Sequence, residues 1–599
     1  MSGLTMKKEP PNNVTRIIKT VVDNVLEGVS VKGTGSISLR EIQEKHSPKV
    51  TQEHVERWAG VLVSHGIAAL ERPANPLDAP KLALQHLPLE PKTPGKRRII
   101  SEVLDSYDLT LKNIPAFVEI VRVRHEFSPM YVLHRPEIAP ATAAILDSIK
   151  IELSRMPEMK TEELIDPKMY SAVEEKFTEG AKTMISQAFP GITFDDRVFL
   201  ADMLIINMLG LGDIDILMAD NWIEDIAINN ADDPVHVYHR KFGWLKTNLI
   251  ILEEKRIREM CESIARRVGR QISNLAPLLD AHLLTGDRVN ATLQAVSPKG
   301  NTLTIRRFAR VPWTVVDMIN IGNMSYEMAS FIWLAMQHEM NLMVIGGTAA
   351  GKTSMLNALL CFVPPNQRIV SIEDTKELNL PQFAHWVPLV SKLPNPEGKG
   401  EITMLNLMVN SLRMRPDRMV IGEVRTKQQA EVMFEAIHTG HSCYGTFHAD
   451  NAGSALRRFT EPPLEIPSVE MRGMHLFITQ FRDRRKNRRR TTQVVELAPS
   501  LTSLGIELNV VYRWESRTDE FEQVNNSIRV FNELQETAGF TEKEIDTDMD
   551  EKTMILKWMA KNSLNDINKL GAVVANYYLD QERVLSLIRK GATVNQVME

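Results

Sequence analysis

The sequence Gly346-Gly347-Thr348-Ala349-Ala350-Gly351-Lys352-Thr353 follows a short apolar run at 342–345, and residues 354–360 can open a helix behind it. A strand, a glycine-rich turn and a helix in that order make a phosphate-binding P-loop. Glycines let the loop turn until its backbone N–H groups point inward and cradle phosphates, and the helix N-terminus adds its positive dipole. Lys352 would then reach the β- and γ-phosphates of a nucleotide, and Thr353 would ligate Mg²⁺. The residues assigned to the nucleotide are Gly346, Gly347, Thr348, Ala349, Ala350, Gly351, Lys352, Thr353 and Ser354.

Two further apolar runs end in acids. The first, 368–372, leads into Glu373-Asp374, with Glu377 beyond. Carboxylates at the C-terminal end of a strand sit where parallel α/β sheets bind ligands. Glu373 is read as the carboxylate that orients water or holds Mg²⁺ through water, and Asp374 as a structural first-turn acid. The second run, 419–421, ends in Gly422-Glu423-Val424-Arg425, a Walker-B-like element whose Glu423 could coordinate Mg²⁺ through water or polarise the nucleophile. A fourth element carries His441 and His448 at either end of a short buried strand; no third His or Cys lies at a spacing that suits a metal. Residues 482–490 hold seven basic side chains and one acid. Such a run reads as a solvated hairpin tip, with anionic lipid headgroups or acidic partner loops as the functional alternative.

The elements around these motifs come from a chain of 599 residues, enough for roughly four units. Composition is that of an ordinary globular protein, with 43% hydrophobic and 25% charged residues and a net charge of −5. This balance excludes a globally polybasic nucleic-acid coat. Three scattered cysteines exclude a disulfide framework and a zinc ribbon, and fit a reducing compartment. No uncharged apolar run reaches the ~18–20 residues of a membrane span. A cytoplasmic location is expected, with any work at a membrane mediated by other proteins.

At the N-terminus, Val14, Ile17, Ile18, Val21, Val22 and Val25 recur at helical spacing. Ser38 with Glu41 reads as a capping box. Thr51 caps a further helix with Val55, Trp58 and Leu62 inside, Gly66 sits at its end, and a short strand follows. This arrangement suggests a winged-helix-like unit, 1–72. The mixed charge of the third helix favours a protein-contact or structural role over DNA. Six prolines from Pro73 to Pro94 predict a linker, 73–100. Strands are expected near 117–124, 130–133, 226–229, 235–239 and 302–307, and a helix capped by Thr142. Past Ser527 the pattern turns helical again.

The P-loop, the Glu373–Glu377 box, the Gly422–Arg425 element and the Gly440–His448 box occur in the order found in the secretion ATPase superfamily. That superfamily powers type II and type IV secretion, type IV pili and the archaellum. Upstream, residues 238–244 with Thr247-Asn248, and residues 136–142, 277–281, 286–291 and 304–308, resemble its archaeal branch. The resemblance implies an α/β fold: a RecA-like P-loop ATPase domain (312–527) preceded by an α/β N-terminal domain (101–311) and the small winged-helix-like unit, with a helical C-terminal region (528–599). It implies ATP and Mg²⁺ as cofactors and a cytoplasmic homo-hexamer. That ring would sit at the inner face of the membrane on a polytopic platform protein and convert ATP hydrolysis into assembly or rotation of a filament. Lys352 and Thr353 match the family's Walker A residues, Glu373 its catalytic acidic-box glutamate and Glu423 its Walker B glutamate. His441 and His448 match its histidine box. Arg288, Arg306 and Arg307 lie where the family supplies arginines to the nucleotide.

Three departures accompany the match. Thr426 stands where the family usually has Gly, the bacterial zinc-binding cysteine quartet is absent, and the N-terminal unit is an addition. The alternatives to a motor are a nucleic-acid-stimulated RecA-like translocase and an ATP-gated winged-helix regulator. The net charge and the lack of a helicase signature argue against the first, so nucleic acid is not an expected partner. The completeness of the acidic and histidine elements argues against the second.

Overall fold

The computed structural model describes the chain except residues 1–9, 12, 15, 21–22, 25–35, 47–49, 66, 72–80, 85–99, 156–166, 284, 308–311, 393, 395–397, 487, 501–504 and 599. It divides into two compact units, Met1–Phe308 and Ala309–Glu599. Both mix helices with a nine-stranded sheet, so the fold is α/β.

In the first unit, Thr51 caps the helix Gln52–Ser64 with a capping box shared with His54. Val55, Trp58, Ala59 and Leu62 turn inward. This helix and Leu39–His46 lie with a three-stranded sheet in the order Ser36–Ser38, Lys81–Leu84, Ala68–Glu71. The proline-rich segment is therefore interrupted by a strand at Lys81–Leu84, because its backbone pairs on both sides; the six prolines and Gly66 lie outside the described residues.

The helix expected from Val14 onward is overturned. Ile17–Ile18 is a strand that pairs in parallel with Glu137–Ile138, and long-range pairing overrides a weak local helical preference. Val21, Val22 and Val25 lie outside the described residues. Thr142 does not cap its helix either. The helix Pro140–Leu153 begins at a proline, which suits the first helical position, where an N–H has no partner. Asp23 caps it from far along the chain, accepting the Ala141 amide at 3.1 Å, while the buried Thr142 hydroxyl donates to the same carboxylate.

The large sheet of this unit runs Leu278–His282, Arg288–Thr292, Thr302–Arg306, Ile223–Ile228, Pro234–His239, Gly243–Ile250, Met130–His134, Ile114–Val123, Ile100–Leu111. Its pairings are antiparallel except for Gly243–Ile250 with Met130–His134.

In the second unit the sheet order is Trp386–Val390, Ile369–Glu373, Arg418–Val424, Ser442–Phe447, Leu342–Gly346, Leu476–Asp483, Arg488–Pro499, Ile506–Glu515, Glu520–Gln523. The first six strands are parallel. Numbering the five strands from Ile369–Glu373 to Leu476–Asp483 along the chain, with Leu342–Gly346 first, gives the spatial order 2-3-4-1-5, the RecA-like arrangement. The three strands 342–346, 369–373 and 442–447 are buried at every position, as expected for parallel strands covered on both faces. Their C-terminal ends share one edge of the sheet, and that edge carries the P-loop, Glu373, Glu423 and His448.

The helices after Ser527 share this core. Trp333 stacks on Phe362 at 4.8 Å and meets Tyr577 edge-on at 5.5 Å. Fully buried Lys552 pairs with Asp548 and lies over the Trp333 and Tyr577 rings. Among the described residues, no helix is long and apolar enough to cross a membrane.

Candidate functional site

The P-loop depends on close backbone approach. A side chain at Gly346 would begin 2.4 Å from the Gln480 carbonyl oxygen, so only glycine fits where this strand leaves its neighbour. Gly351 caps the helix Lys352–Leu359 in the left-handed region, at φ 92°, a conformation glycine adopts without the Cβ penalty. The loop thus delivers the first turn of that helix, with Lys352, Thr353 and Ser354 half-buried, to the sheet edge.

Lys352 folds back over the loop, its Nζ donating to the Gly347 carbonyl at 3.4 Å. Burial pulls its pKa below the usual lysine value, while the Glu423 and Glu377 carboxylates push it up. These two acids are therefore the anionic neighbours of the ammonium. Glu423 is in turn bridged to Asp374 through Arg425, whose Nε reaches Glu423 Oε2 at 2.8 Å and Nη1 reaches Asp374 Oδ2 at 2.7 Å. On the other side, His448 Nε2 lies 2.9 Å from Thr348 Oγ1. Arg458 donates to the His448 carbonyl and covers the Phe447 ring at 4.9 Å.

Glu373 ends its strand, as expected, and is buried there. It is 1% exposed and still within the strand ladder, paired with Val390. Its Oε1 accepts the amides of Glu377 and Leu378 at 2.8 and 3.0 Å. Burial raises its pKa to about 7. Gly422 leaves room for it, since a side chain there would begin 3.3 Å from Glu373 Cγ. Glu373 Oε1 thus holds the turn while its Oε2 is buried without a hydrogen-bond partner among the described residues, and the Glu423 and Glu377 charges act on Lys352.

A test follows from this burial. The unfolded carboxyl ionises near 4.5 and the folded one near 7. The folded state therefore keeps a proton that the unfolded state loses, and stability falls as pH rises between those values. Glu373→Gln removes this penalty. Its stability relative to wild type is expected to improve from pH 4.5 to 7 by up to about 3 kcal/mol in urea melts; a flat difference would place Glu373 in a hydrated setting.

The two histidines are separated. His441 precedes the strand Ser442–Phe447 and contacts the Ala436 carbonyl, while His448 follows the strand at the P-loop end. Six strand residues set them about 20 Å apart. Thr426 is accounted for by local geometry: it caps the helix Lys427–His438 in a capping box with Gln429.

In the first unit, Arg288 and Arg306 are direct cross-strand partners. Arg288 pairs with Asp280 at 2.7 Å and Arg306 with Asp225 at 3.0 Å, and both arginines are exposed. Arg307, the next residue, turns the other way and donates to the carbonyls of Asp220 and Ile223. Three sequence candidates thus resolve into an exposed pair and an anchored residue.

The model for the family described as Type II/IV secretion system protein matches residues 211–472, a stretch that includes the P-loop, both acidic elements and both histidines. The protein MJ0900 of Methanocaldococcus jannaschii is 29% identical over 489 residues, covering 78% of this chain and 87% of that one. MJ1287 of the same organism is 35% identical over 254 residues, 42% of this chain and 92% of its own. The type IV secretion system protein PtlH of Bordetella pertussis is 30% identical over 271 residues, 41% of this chain and 80% of its own. A P-loop at the edge of a RecA-like sheet, matched by these relatives over most of their own length, places the chain in the type II/IV secretion system protein family.

Proposed function

We propose that the chain is an ATP-hydrolysing motor of this family, assembled as a homo-hexamer that drives a pilus-like, archaellum or secretion filament through a polytopic membrane platform protein. The observation that carries this reading is the single sheet edge that brings the P-loop and its half-buried Lys352 together with the strand-end acids Glu373 and Glu423 and with His448. A bare anion site has no use for acids beside its cation. A hydrolytic site does, because water must be oriented and Mg²⁺ held.

The donor set suits the proposed cofactors. The P-loop amides, Lys352 and Ser354 would hold the phosphates of ATP. The Thr353 hydroxyl would take Mg²⁺ directly and Glu423 through water. When bound, Mg²⁺ neutralises phosphate charge. Glu377 would orient the attacking water, and His448, already on Thr348, would report or stabilise the γ-phosphate end. His441, at the far end of its strand, would serve ring contacts rather than the nucleotide. A ring fixed through partners accounts for work at the inner membrane face by a cytoplasmic protein.

The test is phosphate release by the full chain across a dilution series. Mg²⁺-dependent hydrolysis, falling per mole on dilution and unchanged by single- or double-stranded DNA, is expected. Activity independent of concentration would argue against a ring, strong DNA stimulation would favour a translocase, and no hydrolysis at any concentration would remove the motor reading.

The arginines extend the same test. An arginine completing a phosphoryl-transfer site is worth about 10³-fold in rate or more. Arg288→Ala and Arg306→Ala are expected to lose turnover with the melting temperature intact. Arg307→Ala should instead lower stability by about 1–3 kcal/mol, because its carbonyl contacts are lost. Paired kinetics and thermal melts separate the two outcomes.

A further inference from the structure

The basic run 482–490 is not a uniform surface patch. Its second half lies in the strand Arg488–Pro499, where side chains alternate between faces. Arg488 and Arg490 leave one face. Arg490 is 8% exposed and grips Asp519 with two bonds, Nε to Oδ1 at 2.8 Å and Nη2 to Oδ2 at 2.9 Å. Arg488 adds a third bond to the same carboxylate at 2.7 Å. Hydrogen bonding from Arg490 is the main reason the Asp519 carboxyl is held well below its ordinary range. This clamp fixes the hairpin to the next turn of the sheet.

Arg489 leaves the opposite face and meets the P-loop. Its Nε donates to the Ala349 carbonyl at 3.3 Å. Its stem lies along Gly351, where any side chain would begin 3.2 Å from Arg489 Cδ. Ala349 is a non-glycine residue at φ 59°, in the left-handed region, which costs an ordinary L-residue about 1–2 kcal/mol. Directly across the ladder from Arg489 is Arg482. Like charges opposite each other in a sheet repel. Setting two guanidinium groups side by side at the rim of an anion-cradling loop raises the positive potential there.

We propose that Arg489 is a positioning residue of the nucleotide site, holding the Ala349–Gly351 arc in its phosphate-ready shape, with Arg482 across the hairpin adding to the field that draws a nucleoside di- or triphosphate. This rests on the reading of the P-loop as a nucleotide site. Arg489 acts on the loop before the ligand arrives, so its loss weakens binding more than the chemical step. The Asp519 clamp keeps the hairpin, and with it Arg489, seated against the loop.

The experiment measures ADP affinity by calorimetry and the kcat and KM for ATP. It uses wild type, Arg489→Ala, Arg489→Lys, Asp519→Asn and, as a control on the exposed tip, Arg484→Ala. Losing one charge-assisted bond to the loop should raise the ADP Kd and the ATP KM about tenfold in Arg489→Ala, with kcat within about twofold. The melting temperature should be unchanged, Arg489→Lys should recover part of the affinity, Asp519→Asn should weaken binding in the same direction, and Arg484→Ala should match wild type. ADP affinity in Arg489→Ala equal to wild type overturns the proposal. So does a joint fall of kcat and melting temperature with no lysine rescue, which would make Arg489 merely structural. Wild type that binds no ADP defeats the nucleotide-site reading itself, whatever Arg489 does.

Discussion

Lys352→Ala is expected to abolish ATP turnover, by about 10³-fold or more, while leaving the fold intact. The fold should survive because Lys352 contributes little to it. Its ammonium makes one long bond, 3.4 Å, to the carbonyl of Gly347 in its own loop. The charge is instead held where phosphates would come, against a desolvation cost visible in its lowered pKa. A half-buried ammonium has lost part of its hydration, and an anion in contact with it offsets that cost. ATP phosphates would supply such a contact, and in a site with restricted water each charge contact is worth more than in solution. Phosphate release, nucleotide affinity and a thermal melt on the same preparation check the result. Turnover near the wild-type rate would remove Lys352 from the site, whereas a fall in melting temperature would show that its role is structural.

The nucleotide loop was legible because everything it needs is local: the apolar run, the glycines, the lysine and the helix are contiguous. The same holds for Thr51, whose cap reaches three residues ahead. Thr142 shows the limit. Its hydroxyl is spent on Asp23, 119 residues away, and no window of sequence reveals that. Ile17–Ile18 likewise follows its partner strand at Glu137–Ile138 rather than the helical spacing of its neighbours.

The acidic box was legible as a strand end, with Glu373 the last residue of its strand; what the local pattern left open is how deeply that residue is buried. Residues 369–373 are all buried, so Glu373 is still inside the ladder and its carboxylate is captured by the turn it precedes. The burial of a central parallel strand through its last residue was the available signal. The basic run does form a hairpin, as read, with an exposed tip at 484–486. Alternation along a strand assigns Arg488 and Arg490 to one face and Arg489 to the other, but a nine-residue count of charges does not show that a strand begins at 488.

Glu423 and Glu377 carry the remaining large effect, and they can be separated from Glu373 by one substitution applied three times. Glu→Gln keeps shape and removes charge. At Glu423 and Glu377 it removes negative charge from the surroundings of Lys352, so ATP should bind at least as well as in wild type. The carboxylate that orients water, or holds Mg²⁺ through water, is lost, and turnover should fall by about 10²–10⁴-fold. Both variants are therefore expected to trap uncleaved ATP, measurable by filter binding alongside phosphate release. Glu423→Gln also frees Arg425 from one of its two acids, but the Asp374 contact at 2.7 Å remains to hold it. Glu373→Gln should behave in the opposite way. An amide oxygen can still accept the Glu377 and Leu378 amides, so the turn keeps its shape and turnover stays within about threefold of wild type. If Glu373→Gln traps ATP while Glu377→Gln turns over normally, the catalytic carboxylate is the buried one, and the turn must open for Glu373 to reach its water.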